Sequence, residues 1–212
     1  MKILVVYYSM YGNTFELAKT IVEGAKSVEG AEVYLKQVPD LIPEQVIHGN
    51  PRIKQAKEKQ KDIPVATVDE LGDYDAIIWG SPTRYGNMCA QMKNFIDQTG
   101  ALWTKGKLEN IITGVFTSTS SIHGGQESTI LTSIVPLMHL GMIIVGVPYS
   151  IPELLSTASG GTPYGPSHVA GAKSDQPITE HEAKIGFVFG KRIAEITKKF
   201  VSNTNPGSGS TQ

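Results

Sequence analysis

The amino-acid sequence predicts an α/β fold, a doubly wound parallel sheet within a single domain over residues 1–201. Ile3 to Tyr8 is apolar without alternation, the mark of a strand covered on both faces. Similar β-rich runs recur at Glu32–Val38, Ala76–Trp79, Ile111–Phe116 and Met142–Val147, which makes five strands. Helical stretches at Thr14–Ser27, Cys89–Thr99, Gly125–Leu140 and Glu180–Val201 punctuate them, long enough to serve as right-handed crossovers.

Each element has its own local signal. After the first strand, Ser9, Met10, Tyr11, Gly12, Asn13 and Thr14 supply hydroxyls, a flexible glycine and a capping residue before Phe15–Ala25 takes up a helical pattern. Gln45–Asp62 is strongly polar and holds most of the local lysines, so it reads as a surface excursion and, most simply, a solvated linker. Five strands joined in this rhythm give the flavodoxin-like order 2-1-3-4-5. Tyr149–Pro177 is a Gly-, Pro- and Ser-rich insertion between the last strand and the last helix, and long insertions in compact domains often carry function. Residues 202–212 read as a disordered tail, because Asn203–Gln212 (NTNPGSGSTQ) has no apolar side chain to pack.

Composition narrows the function classes. The 212 residues suffice for one full core, and the formal charge of −1 offers no basic face to nucleic acid or to an anionic membrane. One cysteine, Cys89, excludes an internal disulfide and fits a reducing cytoplasm. The N-terminal apolar run is too short for a signal peptide, and no run approaches membrane-spanning length. The five histidines (His48, His123, His139, His168 and His181) show no metal-ligand spacing, so no metal site is predicted.

In doubly wound sheets, ligands bind outside the carboxyl ends of the strands. Three loops leave such ends here. Ser9–Thr14 leads into a helix N-terminus, where free backbone N–H groups and the positive end of the dipole hold a phosphate without a lysine. It has neither the Gly-Lys-Ser/Thr ending of a nucleoside-triphosphate loop nor three spaced glycines, which points to a single terminal phosphate. Gly80–Asn87 (GSPTRYGN) is stiffened by Pro82, permits close backbone approach at Gly80 and Gly86, and offers Arg84 and Tyr85 as a cation and a flat ring. Thr117–Gly125 (TSTSSIHGG) leaves backbone N–H groups free to face a heterocycle or an anion. One cleft with a phosphate at the first loop and a flat ring between the other two fits flavin mononucleotide (FMN). Hydride transfer to a flavin needs stacking and distance rather than a nucleophile, in keeping with a chain that has no convincing catalytic triad.

Six segments in one order, YYSMYGNT (Tyr7–Thr14), GSPTRYGNM (Gly80–Met88), FIDQTGALW (Phe95–Trp103), GGQE (Gly124–Glu127), HLGM (His139–Met142) and GGTPYG (Gly160–Gly165), resemble those of the WrbA family of flavodoxin-like, type IV NAD(P)H:quinone oxidoreductases. The likeness runs from Lys2 to about Val201. It implies an FMN enzyme that takes two electrons from NADH or NADPH, gives them to a quinone, and assembles as a homotetramer or dimer. Carried over by position, Ser9, Met10, Tyr11, Gly12, Asn13 and Thr14 hold the FMN phosphate. Pro82, Thr83, Arg84, Tyr85, Gly86 and Asn87 contact the flavin, while Ser118, Thr119, Ser120, Gly124 and Gly125 border its pyrimidine end. His139 approaches from a neighbouring subunit. Tyr11 lies against the nicotinamide cofactor, and Trp103 lines the quinone side. The third loop departs from the family pattern, reading STSSIHGG where relatives are dominated by glycine, and is one residue longer; His123 either replaces a backbone contact or points to solvent.

Without the family, His139 reads as a helix-end histidine favoured by the dipole, Trp103 as a half-buried packing residue and Arg84 as a surface ion-pair partner. Cys89 reads as structural, Glu16 and Glu23 as solvated charges, and Asp97 as the i, i+4 partner of Lys93. The alternative to the enzyme is a flavodoxin-type single-electron carrier between proteins; such carriers are usually acidic around the flavin, which the near-neutral charge argues against. A third reading is a flavin-loaded regulatory module. No arginine pair or acidic residue stands out for the ribose 2′ position, so the sequence does not separate NADH from NADPH.

Overall fold

The computed structural model describes residues 1–204. In chain order its elements are β1 (Lys2–Tyr7), α1 (Asn13–Lys26), β2 (Glu32–Gln37), α2 (Glu44–Gly49), α3 (Pro51–Glu58), a 3₁₀ turn (Asp69–Asp73), β3 (Ala76–Arg84) and β4 (Asn87–Met88). They continue with α4 (Ala90–Asp97), α5 (Gly100–Thr104), β5 (Ile112–Thr119), α6 (Gln126–His139), β6 (Ile143–Ile144), α7 (Pro152–Ser156), β7 (Ser167–Val169) and α8 (Glu180–Thr204). The central path β2-β1-β3-β5-β6 is parallel throughout.

β1 shows why the sheet is doubly wound. Ile3, Val5 and Tyr7 enter a core with residues of α1 and α8, while Leu4, Val6 and Tyr8 enter a second core with residues of α4 and α6. Both faces of the strand are therefore dry, which accounts for the unbroken apolar run.

The expectation of five strands in the order 2-1-3-4-5 needs correction, because the described residues form seven. β4 is a two-residue return of β3, paired antiparallel through a tight turn. β7 comes from the 149–177 insertion and pairs with Thr117–Thr119, the carboxyl half of β5, whereas β6 covers only its start. The strand expected at Met142–Val147 shrinks to Ile143–Ile144 because the chain then turns to other acceptors: the Val147 amide donates to the Pro163 carbonyl at 2.8 Å. Val145 and Val147 remain in the core.

Five further boundaries differ. β3 runs past Trp79 to Arg84 and β5 past Phe116 to Thr119, because each is still paired there, so much of the expected second loop and the start of the third are strand ends. Gln45–Asp62 is no linker: it holds all but the first residue of α2 and the whole of α3, with Asn50 capping α3 through bonds from the Arg52 and Ile53 amides and with Ile53 and Ala56 buried. The helix expected over Cys89–Thr99 stops at Asp97, and the buried Thr99 hydroxyl donates to the Ile96 carbonyl before α5 begins. α8 runs on to Thr204, past the expected start of the tail at 202; the rest of that tail lies outside the described residues. No described helix is long and apolar enough to cross a membrane.

Candidate active site

The three loops converge. Ser9, Met10, Tyr11, Asn13 and Thr14 from the first, Pro82, Thr83 and Arg84 from the second, and Ser118, Thr119 and Ser120 from the third line one cavity of about 280 Å³ at the carboxyl ends of β1, β3 and β5. The parallel register Tyr7–Gly80 and Pro82–Ser118 brings the three strand ends level.

The first loop is built as an anion cradle. Gly12 precedes α1 in the left-handed region (φ 92°), and no side chain caps the helix, so its first-turn amides are left for an external acceptor. Ser9 and Thr14 are almost wholly buried, yet their hydroxyls make no hydrogen bond among the described residues. A phosphate would satisfy both the amides and the hydroxyls. α3 braces this loop from below. The buried Gln60, just past the helix, donates to the Ser9 carbonyl at 3.4 Å, and Lys57 pairs with Asp40 at 2.6 Å while lying 4.6 Å over the Tyr8 ring. Burial works against ionisation of Asp40, but bonds from Lys57, the Ile42 amide and the Tyr8 hydroxyl hold its carboxyl below the usual range.

The second loop is a two-residue hairpin whose central residues, Tyr85 (φ 54°) and Gly86 (φ 78°), both take positive φ, as a type I′ turn requires. Tyr85 is fully exposed at the tip. A non-glycine residue in that region carries strain and commonly marks a functional position. The Thr83 hydroxyl accepts from the Gly86 amide (3.2 Å) and from Thr129 (2.7 Å), so it fixes the hairpin on α6. Arg84 has no carboxylate partner among the described residues; it donates to the Thr83 carbonyl and reaches Met10 Sδ at 3.5 Å, joining the first two loops.

The third loop is tied rather than free. Thr119 donates to the Ser121 carbonyl (2.8 Å) and Gln126 to that of Ile122 (2.8 Å). Gln126 accepts in turn from Ser167 of β7 at 2.6 Å. Ser120–His123 is exposed, with His123 at the surface.

Not every expected residue lines the cleft. Gly12 caps α1 beside it, while Tyr85, Gly86, Gly124 and Gly125 lie at the turns that frame it. Asn87, His139 and Trp103 line a different cavity of about 560 Å³ between α4, α5 and α6, whose walls include Met88, Ile96 and Val135. Trp103 is 60% exposed there. Cys89, the N-cap of α4, is buried against Ser81, and burial pushes its thiol up, so it is no activated nucleophile.

The residues that sequence reasoning missed come from the insertion. Ala170, Ala172 and Ser174 complete the cleft wall, and Asn13 donates to the Ser174 carbonyl at 3.3 Å. A buried knot holds them in place. Glu182, at the start of α8, accepts on Oε1 from the Ser159 hydroxyl and the Gly160 and Val169 amides, and on Oε2 from His168 Nδ1 and the Thr179 amide, all at 2.7–2.9 Å. Burial would raise its pKa, but these bonds, His168 first, bring it down to about 2. Gly160 is obligatory in the knot, since a Cβ there would meet the Ser167 carbonyl oxygen at 2.1 Å. The one available signal was the GGTPYG segment, whose glycines mark this close approach.

Residues 1–153 match the family described as NADPH-dependent FMN reductase. The chain is 48% identical over 203 residues to an NAD(P)H dehydrogenase (quinone) of Geotalea daltonii, covering 95% of this chain and 98% of that one. It is 45% identical over 203 residues to the protein of the same name in Aromatoleum aromaticum, with the same shares covered. Among solved structures, a flavodoxin, WrbA-like protein from Agrobacterium tumefaciens superposes with a TM-score of 0.61 at 22% identity, covering 93% of this chain and 98% of that one. A flavodoxin from the domain Archaea gives 0.60, also at 22% identity, over 93% and 99% of the two chains. These two likenesses establish the flavodoxin-like fold.

Proposed function

The chain belongs to the NADPH-dependent FMN reductase family, and we propose that its FMN sits in the three-loop cleft, with the phosphate at Ser9–Thr14 and the ring between Pro82–Asn87 and Ser118–Gly125. It is an FMN-dependent NAD(P)H:quinone oxidoreductase. The observation that carries the placement is the uncapped start of α1 beside the Ser9 and Thr14 hydroxyls, which line the cleft without a hydrogen-bond partner among the described residues.

Bound there, FMN supplies the two-electron centre that accepts hydride from NAD(P)H and reduces a quinone. The protein's part is binding and orientation. The first-turn amides of α1, with Ser9 and Thr14, neutralise the phosphate. The Arg84 cation, which has no carboxylate partner among the described residues and links loops one and two, would offer positive potential to a reduced ring. Tyr11, more than one-third exposed at the mouth, supplies the apolar surface against which a nicotinamide packs.

The WrbA-type homotetramer is part of the same proposal. Leu131, Val135 and Met138 stand exposed along one face of α6, next to the cavity that holds Trp103 and His139. Spacings of four and three residues make them a continuous apolar stripe, which a second copy of the chain would cover. That packing would carry His139 toward a neighbour's flavin and Trp103 toward its quinone. A buried, reduced Cys89 fits a cytoplasmic location.

The test is a fluorescence titration of the apoprotein with FMN and with riboflavin, which lacks only the phosphate. FMN binding at least a hundredfold tighter supports the placement; equal affinities overturn it.

A further inference from the structure

The cavity next to the FMN cleft has a composition the proposed function does not use. It measures about 310 Å³ and lies between the start of α1, one face of α3 and residues 174–177. Tyr11, Asn13 and Ser174 line both cavities, so the two share a wall. From α3 and its C-cap come Arg52, Gln55, Ala56 and Lys59, which the helical period places on one face.

Three lysines of this region are paired, and Lys54 of α3, outside the cavity, has no ion pair among the described residues. Lys57 is paired with Asp40 at 2.6 Å, Lys61 with Glu58 at 2.5 Å and Lys19 with Glu16 at 2.6 Å. Arg52 and Lys59, the two that line the cavity, have no carboxylate partner among the described residues. The lining carboxylates are Glu16, already paired, and Asp175 on the opposite wall. Arg52 lies 5.7 Å from the Tyr11 ring centroid, within cation–π reach, and its guanidinium can offer a phosphate a bidentate contact.

We propose that this cavity receives the 2′-phosphoadenosine end of NADPH, with Arg52 and Lys59 binding the 2′-phosphate, and that they give the enzyme a preference for NADPH over NADH. The proposal rests on the FMN placement above. Tyr11, placed against the nicotinamide above, is part of the wall the two cavities share, so the adenosine half of the same molecule is within reach of two cations without a carboxylate partner among the described residues. NADH carries only a hydroxyl at that position and forgoes the contact.

Calorimetry on the FMN-loaded protein with 2′,5′-ADP and 5′-AMP tests the site directly, and the ratio of kcat/KM for NADPH to that for NADH tests its use. A charge-assisted phosphate contact predicts about tenfold tighter binding of 2′,5′-ADP than of 5′-AMP. In the double variant R52A/K59A that advantage disappears and the NADPH/NADH ratio falls by about tenfold. Equal binding of the two nucleotides to the wild type overturns the proposal, as does an unchanged ratio in the variant. Inorganic phosphate that displaces 2′,5′-ADP at equal concentration would reduce the cavity to an unspecific anion site, and a variant that loses FMN instead would assign these cations to the flavin phosphate. Loss of 2′,5′-ADP binding in the variant, in a protein that oxidises neither nicotinamide, would uphold the site and sink the quinone-oxidoreductase reading.

Discussion

Replacing Glu182 with glutamine should cost about 3 kcal/mol at neutral pH, a figure set by the bonds it breaks. The substitution keeps one oxygen but puts an NH₂ group opposite donors, so either the His168 and Thr179 pair or the Ser159, Gly160 and Val169 set loses its acceptor. The smaller loss turns the His168 ring to its accepting tautomer and leaves the buried Thr179 amide without an acceptor, at about 1–3 kcal/mol. Through those same bonds, a carboxyl lowered from 4.5 to about 2 corresponds to roughly 3 kcal/mol at 1.36 kcal/mol per unit. For a domain of this size, that predicts a melting temperature lower by about 6–12 °C.

The pH dependence has a definite sign. The folded-state pKa is depressed, so the stabilisation is fully present above the unfolded value of 4.5 and is lost as pH falls toward 2. Urea melts of the apoproteins should show a constant gap between wild type and Glu182→Gln from pH 5 to 8, shrinking to about half by pH 3. A gap below about 1 kcal/mol at pH 7, or one unchanged at pH 3, would refute the assignment of Glu182 as the acceptor that pins the insertion. Because the knot holds Val169 of β7 and the adjoining cleft wall, the variant should also bind FMN more weakly.

Four further outcomes follow from the site. Thr14→Val removes an unpartnered hydroxyl from the phosphate cradle and should weaken FMN binding by about tenfold, while leaving riboflavin binding unchanged, as read by fluorescence quenching. His139→Ala should weaken FMN retention in the assembled protein without altering the melting of the subunit; unchanged FMN affinity would confine His139 to its own helix end. Trp103→Ala should raise KM for quinone more than KM for NADH, and equal effects would make it a packing residue. Val135→Asp places a charge on the apolar stripe of α6 and should shift the mass by light scattering to a smaller species, whereas an unchanged mass would remove that face from the interface.

The legible parts of this molecule were those fixed by local chemistry. The run Ile3–Tyr8 could only be a doubly covered strand, and the Gly12–Thr14 punctuation placed the start of α1 to within a residue. Pro82 to Arg84 and Ser118 to Ser120 reached the same cleft because parallel register makes successive strand ends neighbours. α3 escaped notice because its buried face is only Ile53 and Ala56, followed by Gln60, among lysines whose charges outweigh so sparse an apolar signal. The Ala170–Ser174 wall was hidden for a different reason: its position depends on a bond network closed by Glu182, from a helix that starts several residues later. Likewise, nothing local joins Trp103 to His139, which meet only when α5 packs near α6.

The central claim is that one flavin site takes electrons from a nicotinamide and passes them to a quinone. An anaerobic absorbance titration of the FMN-loaded protein with NADH or NADPH, followed by one equivalent of benzoquinone, tests it most directly. The account predicts that one equivalent of reductant bleaches the flavin band fully and that benzoquinone restores it. A bound flavin that neither nicotinamide bleaches, but that chemical reductants reduce in two separate one-electron steps, would contradict it and describe an electron carrier instead.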